Sequence, residues 1–186
     1  SARVFFNDGN SEKALQILDE IDKSSPIYNE IILEKAYIQL NGANFADSYK
    51  NLKLCLESGY RDVSAISLAV DLSASMGYQN NEYKQMLLDY IPSTYEDAYK
   101  KLNALCDYEL FDDALKVANE LLSENFNDAN TLYIKDFLLY NKGDYKGAER
   151  CFKNAYLLSY SYPSLFYLKI AQKAVSVLLS IAPMAK

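Results

Sequence analysis

Small and apolar residues recur along this chain about every 34 positions, and that period limits what it can fold into more than any other feature. Ala14, Ser48, Glu82, Ala114 and Ala148 are separated by 34, 34, 32 and 34 positions. Leu18, Leu52, Met86, Ala118 and Phe152 keep the same steps, and so do Ile21, Cys55, Asp89, Leu121 and Ala155. Within each period the three positions stand at i, i+4 and i+7, which is one face of a helix. Upstream of each lies a second periodic run that ends in a turn. Ile32, Ala36 and Gln39 precede Asn41-Gly42; Ile66, Val70 and Ser73 precede Gly77; Ala98, Leu102 and Leu105 precede Asp107 to Glu109; Leu132, Asp136 and Leu139 precede Lys142-Gly143. The unit is a helical hairpin. No single hairpin buries its own apolar face, so neighbours must stack.

The pattern predicts helices over residues 12–23, 27–41, 44–58, 62–76, 80–91, 95–108, 111–125, 129–141, 145–158 and 163–181. Start signals agree with it. Ser25-Pro26 reads as a cap followed by an N1 proline, Asp62 and Asp128 as caps, Thr94 with Asp97 as a capping box, and Pro163 as the opening of the last helix. Only 6 Gly and 4 Pro among 186 residues leave little material for a turn-rich β fold. The expected class is all-α, a solenoid of stacked antiparallel helix pairs whose first helices line a concave surface.

A 34-residue helix-turn-helix period resembles the tetratricopeptide repeat family, and the match covers nearly the whole chain. Its best stretch is Asn141 to Ala155, where Gly143-Asp144-Tyr145 is followed by Ala148, Phe152 and Ala155; Gly9 to Pro26, with Ala14, Leu18 and Ile21, is similar. The small residue lets two helices approach, and the aromatic fills the groove beside it. The resemblance implies a right-handed superhelix and a single repeat domain over 1–186. Its parts are a partial repeat at 1–28, repeats at 29–62, 63–94, 95–128 and 129–162, and a capping helix at 163–181. Val70, Leu102 and Asp136 depart from the small residue expected in the first helix, and the third repeat is two residues short, with Glu82 and Asp89 at apolar positions. Ser1 to Asn7 reads as the stub of a first helix. Because the chain opens on Ser rather than Met, it reads as a fragment or a processed chain.

Several function classes are excluded. With no His at all, imidazole triads, imidazole zinc sites and histidine pH switches are absent. A net charge of -6 argues against nucleic acid as a partner, since phosphate neutralisation dominates such binding. The 3 cysteines, Cys55, Cys106 and Cys151, have no metal-ligand spacing and read as buried free thiols, which suits a reducing compartment such as the cytoplasm. The longest apolar stretch, Ala174 to Met184, is too short to span a bilayer. No Gly-rich phosphate loop, Gly-x-Ser-x-Gly elbow or calcium loop occurs, and no cofactor or metal is called for. Acidic pairs such as Glu30 with Glu34, or Asp112 with Asp113, read as solvated helix faces. Asp136, an acid on a packing face, reads as satisfied by a nearby Tyr or Lys rather than as catalytic.

What remains is recognition. The helical phase places on the concave stripe Leu33, Glu34, Tyr37 and Asn41; Ser67, Asp71 and Ser75; Tyr99, Lys100 and Asn103; Tyr133, Phe137, Tyr140 and Asn141; and Tyr167. The chain holds 17 Tyr, which offer rigid contact area with a polar tip, while neighbouring Asn can hydrogen-bond a bound backbone. Any one of these rings reads as packing between repeats, and the stripe as a whole as a binding surface. Only Lys100 with Asn103 is similar to the basic and Asn clamp with which family members grip acidic chaperone tails, so a carboxylate clamp is not expected. Glu30, Glu34 and Asp71 make the N-terminal half acidic, which favours a basic and apolar ligand. The resulting expectation is a non-catalytic adaptor or scaffold that captures a peptide or partner protein. Two alternatives stand beside it: a structural subunit that self-associates into a homo-oligomer through the apolar Val175 to Ile181 end, which Leu178→Glu or Leu179→Glu would disrupt, or through the exposed N-terminal helix, and the docking arm of an enzyme whose catalytic domain lies elsewhere.

Overall fold

Four turns with one geometry set the spacing of this structure. In each, the residue after the helix C-cap takes a left-handed conformation: Ala43 at φ 58°, Gly77 at 72°, Glu109 at 59° and Gly143 at 81°. The next N–H reaches back to the last turn of the helix, Asn44 to Gln39 O at 2.8 Å, Tyr78 to Ser73 O at 2.7 Å, Leu110 to Leu105 O and Asp144 to Leu139 O at 2.9 Å. This pairing satisfies carbonyls that a helix end otherwise leaves bare, and it reverses the chain within two residues. The second helix then starts on a side-chain cap in two cases: Asn44 accepts from the Asp47 N–H and Asp144 from the Gly147 N–H.

The computed structural model describes residues 9–159 and 169–176. Its helices are α1 (Ser11–Asp19), α2 (Tyr28–Asn41), α3 (Phe45–Glu57), α4 (Val63–Ser75), α5 (Asn81–Asp89), α6 (Tyr95–Asp107), α7 (Phe111–Glu124), α8 (Ala129–Asn141), α9 (Tyr145–Ser159) and α10 (residues 169–176). Among the described residues there is no strand. Consecutive helices pack as antiparallel pairs, α2 on α3, α4 on α5, α6 on α7 and α8 on α9. The chain divides into two compact units, Ser1–Tyr90 and Ile91–Lys186. The stub at Ser1 to Asn7, the start at Pro163, and Leu178 and Leu179 lie outside the described residues.

In the N-terminal unit Ala14, Leu18, Ile31 and Ile38 form one buried cluster, with Leu15, Ile17 and Ile21 packed against it. Ser48 is buried against α2 and donates from Oγ to the Ala36 carbonyl at 2.8 Å, so the small residue here also ties two helices together. In the C-terminal unit Ala148, Phe152 and Ala171 form the corresponding cluster, bringing α10 onto α9.

The structure corrects three expectations. Residues 20–23 leave the first helix: α1 ends at Asp19, and Asp22 Oδ1 accepts the Ser24 N–H at 2.7 Å while its carbonyl accepts the Ser25 N–H, a turn that competes with helix. Ser25-Pro26 does not open α2. The helix begins at Tyr28 after Ile27, without a side-chain cap bond, and Pro26 lies in the preceding turn. In α5 the buried register is shifted by one residue. Glu82 and Asp89 face solvent, and Tyr83 and Leu87 fill the core instead. Tyr83 therefore brings a ring to the place where the other second helices put a small residue, and its hydroxyl meets that of Tyr49 at 3.2 Å. Asp62, Thr94 and Asp128 cap as expected, accepting from Ala65, Asp97 and Asn130 N–H groups.

The two non-glycine left-handed residues carry a local cost, because a Cβ crowds the backbone there. Glu109→Gly should raise unfolding stability by about 0.5–1 kcal/mol, and Gly143→Ala should lower it by about 1 kcal/mol. A Cβ at Gly143 meets nothing within 4 Å, so the second effect is a backbone effect alone. Urea denaturation followed by circular dichroism checks both signs.

Candidate functional site

On two of the first helices the apolar residues are not confined to the buried side. On α2, Ile31, Ile32, Ala36 and Ile38 are buried, and the opposite side still carries Leu33, Tyr37 and Leu40, all half-buried. On α8, Thr131, Leu132, Asp136 and Leu138 are buried, and the opposite side carries Tyr133, Phe137 and Tyr140. An apolar strip on the side away from the core is normally covered by a neighbour. Here Phe137 remains 39% exposed.

In the N-terminal unit Glu34 is half-buried, and Asn41 and Asp71 are exposed. Burial, with the Asp62 carboxylate adding to it, raises the Tyr37 hydroxyl above its ordinary pKa, against a hydrogen bond with Ser64 that lowers it. That ring thus reaches the start of α4. Asn41 turns its amide back on its own helix, donating from Nδ2 to the Tyr37 carbonyl at 2.9 Å.

In the C-terminal unit Tyr99 is half-buried, its hydroxyl pKa raised by burial and then by Asp128. Lys100 is exposed and pairs with Glu96 at 3.0 Å, one turn away, while Asn103 is exposed. The Tyr133 ring meets Phe152 edge-on with centroids 6.0 Å apart, and Tyr140 meets Tyr145 at 5.1 Å. Both tyrosines pack against the Ala148 cluster. Asn141 repeats the bond of Asn41, donating to the Phe137 carbonyl at 2.9 Å. Tyr167 lies outside the described residues.

Asp136 departs from expectation. It is 0% exposed, and neither carboxylate oxygen has a hydrogen-bond partner among the described residues. Among the described residues no Tyr or Lys satisfies it. Burial pushes the carboxyl up to about 9, with only a small opposing pull from Lys135, so it is protonated at neutral pH. Such a group cannot donate or accept a proton for a bound molecule without exposure to it. The thiols are similarly quiet. Cys55 is buried and pushed up to about 11 by burial, with Glu30 adding; Cys106 reaches about 11 for the same first cause, although it and Cys151 are only half-buried. Among the described residues no group of three or more Cys, Asp or Glu side chains could hold a metal ion, and no helix is long and apolar enough to cross a membrane.

Sequence reasoning missed two cavities. One, of about 290 Å³, lies in the N-terminal unit between α1, α2 and α3, where Lys35 pairs with Asp19 at 2.6 Å and Asn51 donates to Gln39 at 2.7 Å. The other, of about 300 Å³, lies in the C-terminal unit between the start of α6 and the end of α7. Its signal in the sequence was the Ile91-Pro92 pair ahead of the Thr94 cap and the Glu120, Glu124 spacing, which helical phase alone does not connect.

No protein-family model matches the sequence, and no curated protein matches it. Solved structures do. The fold is similar to YrrB, a TPR protein with an unusual peptide-binding site, at TM-score 0.62 and 14% identity over 92% of this chain and 88% of that one. It is similar to MamA at TM-score 0.61 and 12% identity, over 82% of this chain and 85% of that one. It is similar also to the C-terminal part of a TPR repeat-containing protein from Cytophaga hutchinsonii, at TM-score 0.67 and 13% identity, over 97% of this chain and 72% of that one.

Asp136 makes stability depend on pH. Between the unfolded value of 3.8 and the folded value of about 9, the folded chain holds a proton that the unfolded chain has released, so this residue's contribution falls as pH rises through that window. Asp136→Asn should therefore gain on the parent protein as pH rises from 4 to 9, by at most about 4 kcal/mol at pH 7. Paired thermal melts across that range check the trend, and a constant difference contradicts it.

Proposed function

We propose that this chain, which has the tetratricopeptide-repeat fold, is a non-catalytic protein-protein interaction module that holds a peptide or partner segment on the outward side of its first helices. The observation that carries this reading is α8, where an apolar side is only partly covered by Tyr133 and Tyr140 packing and Phe137 stays exposed. Acidic side chains of the N-terminal unit, Glu30, Glu34 and Asp71, add preference for lysine or arginine in the bound segment. Leu33 and Tyr37 beside them favour apolar groups. Helix pairs already packed on one another lose little freedom on binding, so modest contacts suffice. A peptide-binding site in YrrB, which has the same fold, supports the reading by analogy of fold.

The test compares immobilised parent protein with two variants, Phe137→Ala and the pair Glu34→Lys with Asp71→Lys. Phe137→Ala should cost under about 1 kcal/mol of stability, because the ring is partly solvated already. Proteins retained by the parent from a lysate and released between about 50 and 500 mM salt should be recovered at least about tenfold less by either variant. Equal recovery by all three proteins, or retention indifferent to salt, would sink the proposal.

A further inference from the structure

We propose that the C-terminal unit carries a second docking pocket, which takes a lysine or arginine side chain flanked by an apolar residue of a partner protein. It is the cavity of about 300 Å³ between the start of α6 and the last turns of α7, walled by Ile91, Tyr95, Ala98 and Leu121 and bordered by Glu120 and Glu124. That volume stands at the lower end of those that hold small ligands, and suits one long side chain.

Charge identifies the occupant. Glu120 and Glu124 are one turn apart on α7, so their like charges lie side by side. They also stand in the last turns of the helix, where the macrodipole is negative and no basic residue answers it. Among the described residues neither carboxylate has an ion-pair partner; the lysines that serve α7 pair instead with Asp112 and Asp113 at its other end. At the facing helix start two N–H groups are engaged by side chains, and Glu96 and Asp97 place acidic groups in the first turn. Thr94 accepts from Asp97 at 3.1 Å, and Asp97 accepts from Ser93 at 3.3 Å. The pocket therefore presents two carboxylates and the negative end of the α7 dipole; the positive end of α6 on the opposite wall already carries Glu96 and Asp97 in its first turn, so an entering cation meets a net negative site.

The apolar requirement comes from the rim. Ile91, which lines the pocket, is 86% exposed, and Pro92 stands beside it in the lining. Tyr95 is held in place from the far side, its hydroxyl donating to Asp128 Oδ2 at 2.6 Å. Thr131 and the Asn130 N–H bond the same carboxylate, and these hydrogen bonds hold it below its usual pKa although burial alone would raise it. Tyr95 is therefore a fixed wall against which an aliphatic stem can lie.

The experiment is an NMR titration of the ¹⁵N-labelled full chain with a capped leucine-lysine-leucine tripeptide, beside the same tripeptide with glutamine in place of lysine. Saturable shifts should centre on the amides of Tyr95, Ala98, Leu121 and Glu124. Affinity should fall about tenfold for the glutamine peptide, and about tenfold for the Glu120→Gln, Glu124→Gln double variant, which removes exposed like charges and should keep its fold. Ile91→Ser should weaken binding severalfold, whereas Phe137→Ala should leave it unchanged, which separates this pocket from the α8 surface. Shifts centred elsewhere, no saturation, equal binding of both peptides, or loss on Phe137→Ala would overturn the proposal.

Discussion

Close approach between the two helices of a pair is the constraint from which the rest follows. Ala14, Ser48, Ala114 and Ala148 are fully buried where the second helices lie against their neighbours, and no larger side chain leaves room for backbones to meet there. Ser48 converts that proximity into a hydrogen bond on the Ala36 carbonyl. Once the contact is set, each helix has a fixed rotation about its axis, so which residues turn outward is no longer free. Tyr83 breaks the rule in α5 and packs edge-on against Tyr49, with centroids 6.2 Å apart, while Tyr49 in turn meets Tyr78 at 5.5 Å.

Helix identity and pairing were legible in the residues because both depend on short-range information. Turn residues, caps at Asp62, Thr94 and Asp128, and the i, i+4, i+7 spacing all act within a few positions. The slip at α5 was not legible, although Glu82 and Asp89 marked the place. A strict period had put two acids in the core, and only packing decides that rotating by one residue to bury Tyr83 and Leu87 is better than desolvating two charges. Asp136 was legible as buried but not as unpartnered, since nothing local reports which groups lie opposite.

The outward sides of the first helices show why candidate binding residues resist reading by phase. Phase tells that Tyr37, Tyr133 and Phe137 share an orientation. It does not tell that Tyr133 finds Phe152 and Tyr37 reaches α4, while Phe137 finds less cover. A side chain placed on such a face is shared between packing and recognition, and the share is settled by what the adjacent helix offers. Asn41 and Asn141 show the same division: one amide hydrogen is committed to the helix's own carbonyl, and the rest of the group is left outward.

The left-handed turns have a consequence for how the chain acquires its structure. Each is closed by hydrogen bonds spanning only three to five residues, as from Asn44 to Gln39 or Asp144 to Leu139, and joins two helices adjacent in sequence. Contact order is accordingly low, and loop-closure entropy is a minor barrier. A nascent chain with this design can nucleate at whichever hairpin leaves the ribosome first and grow by docking the next, without waiting for distant segments to arrive.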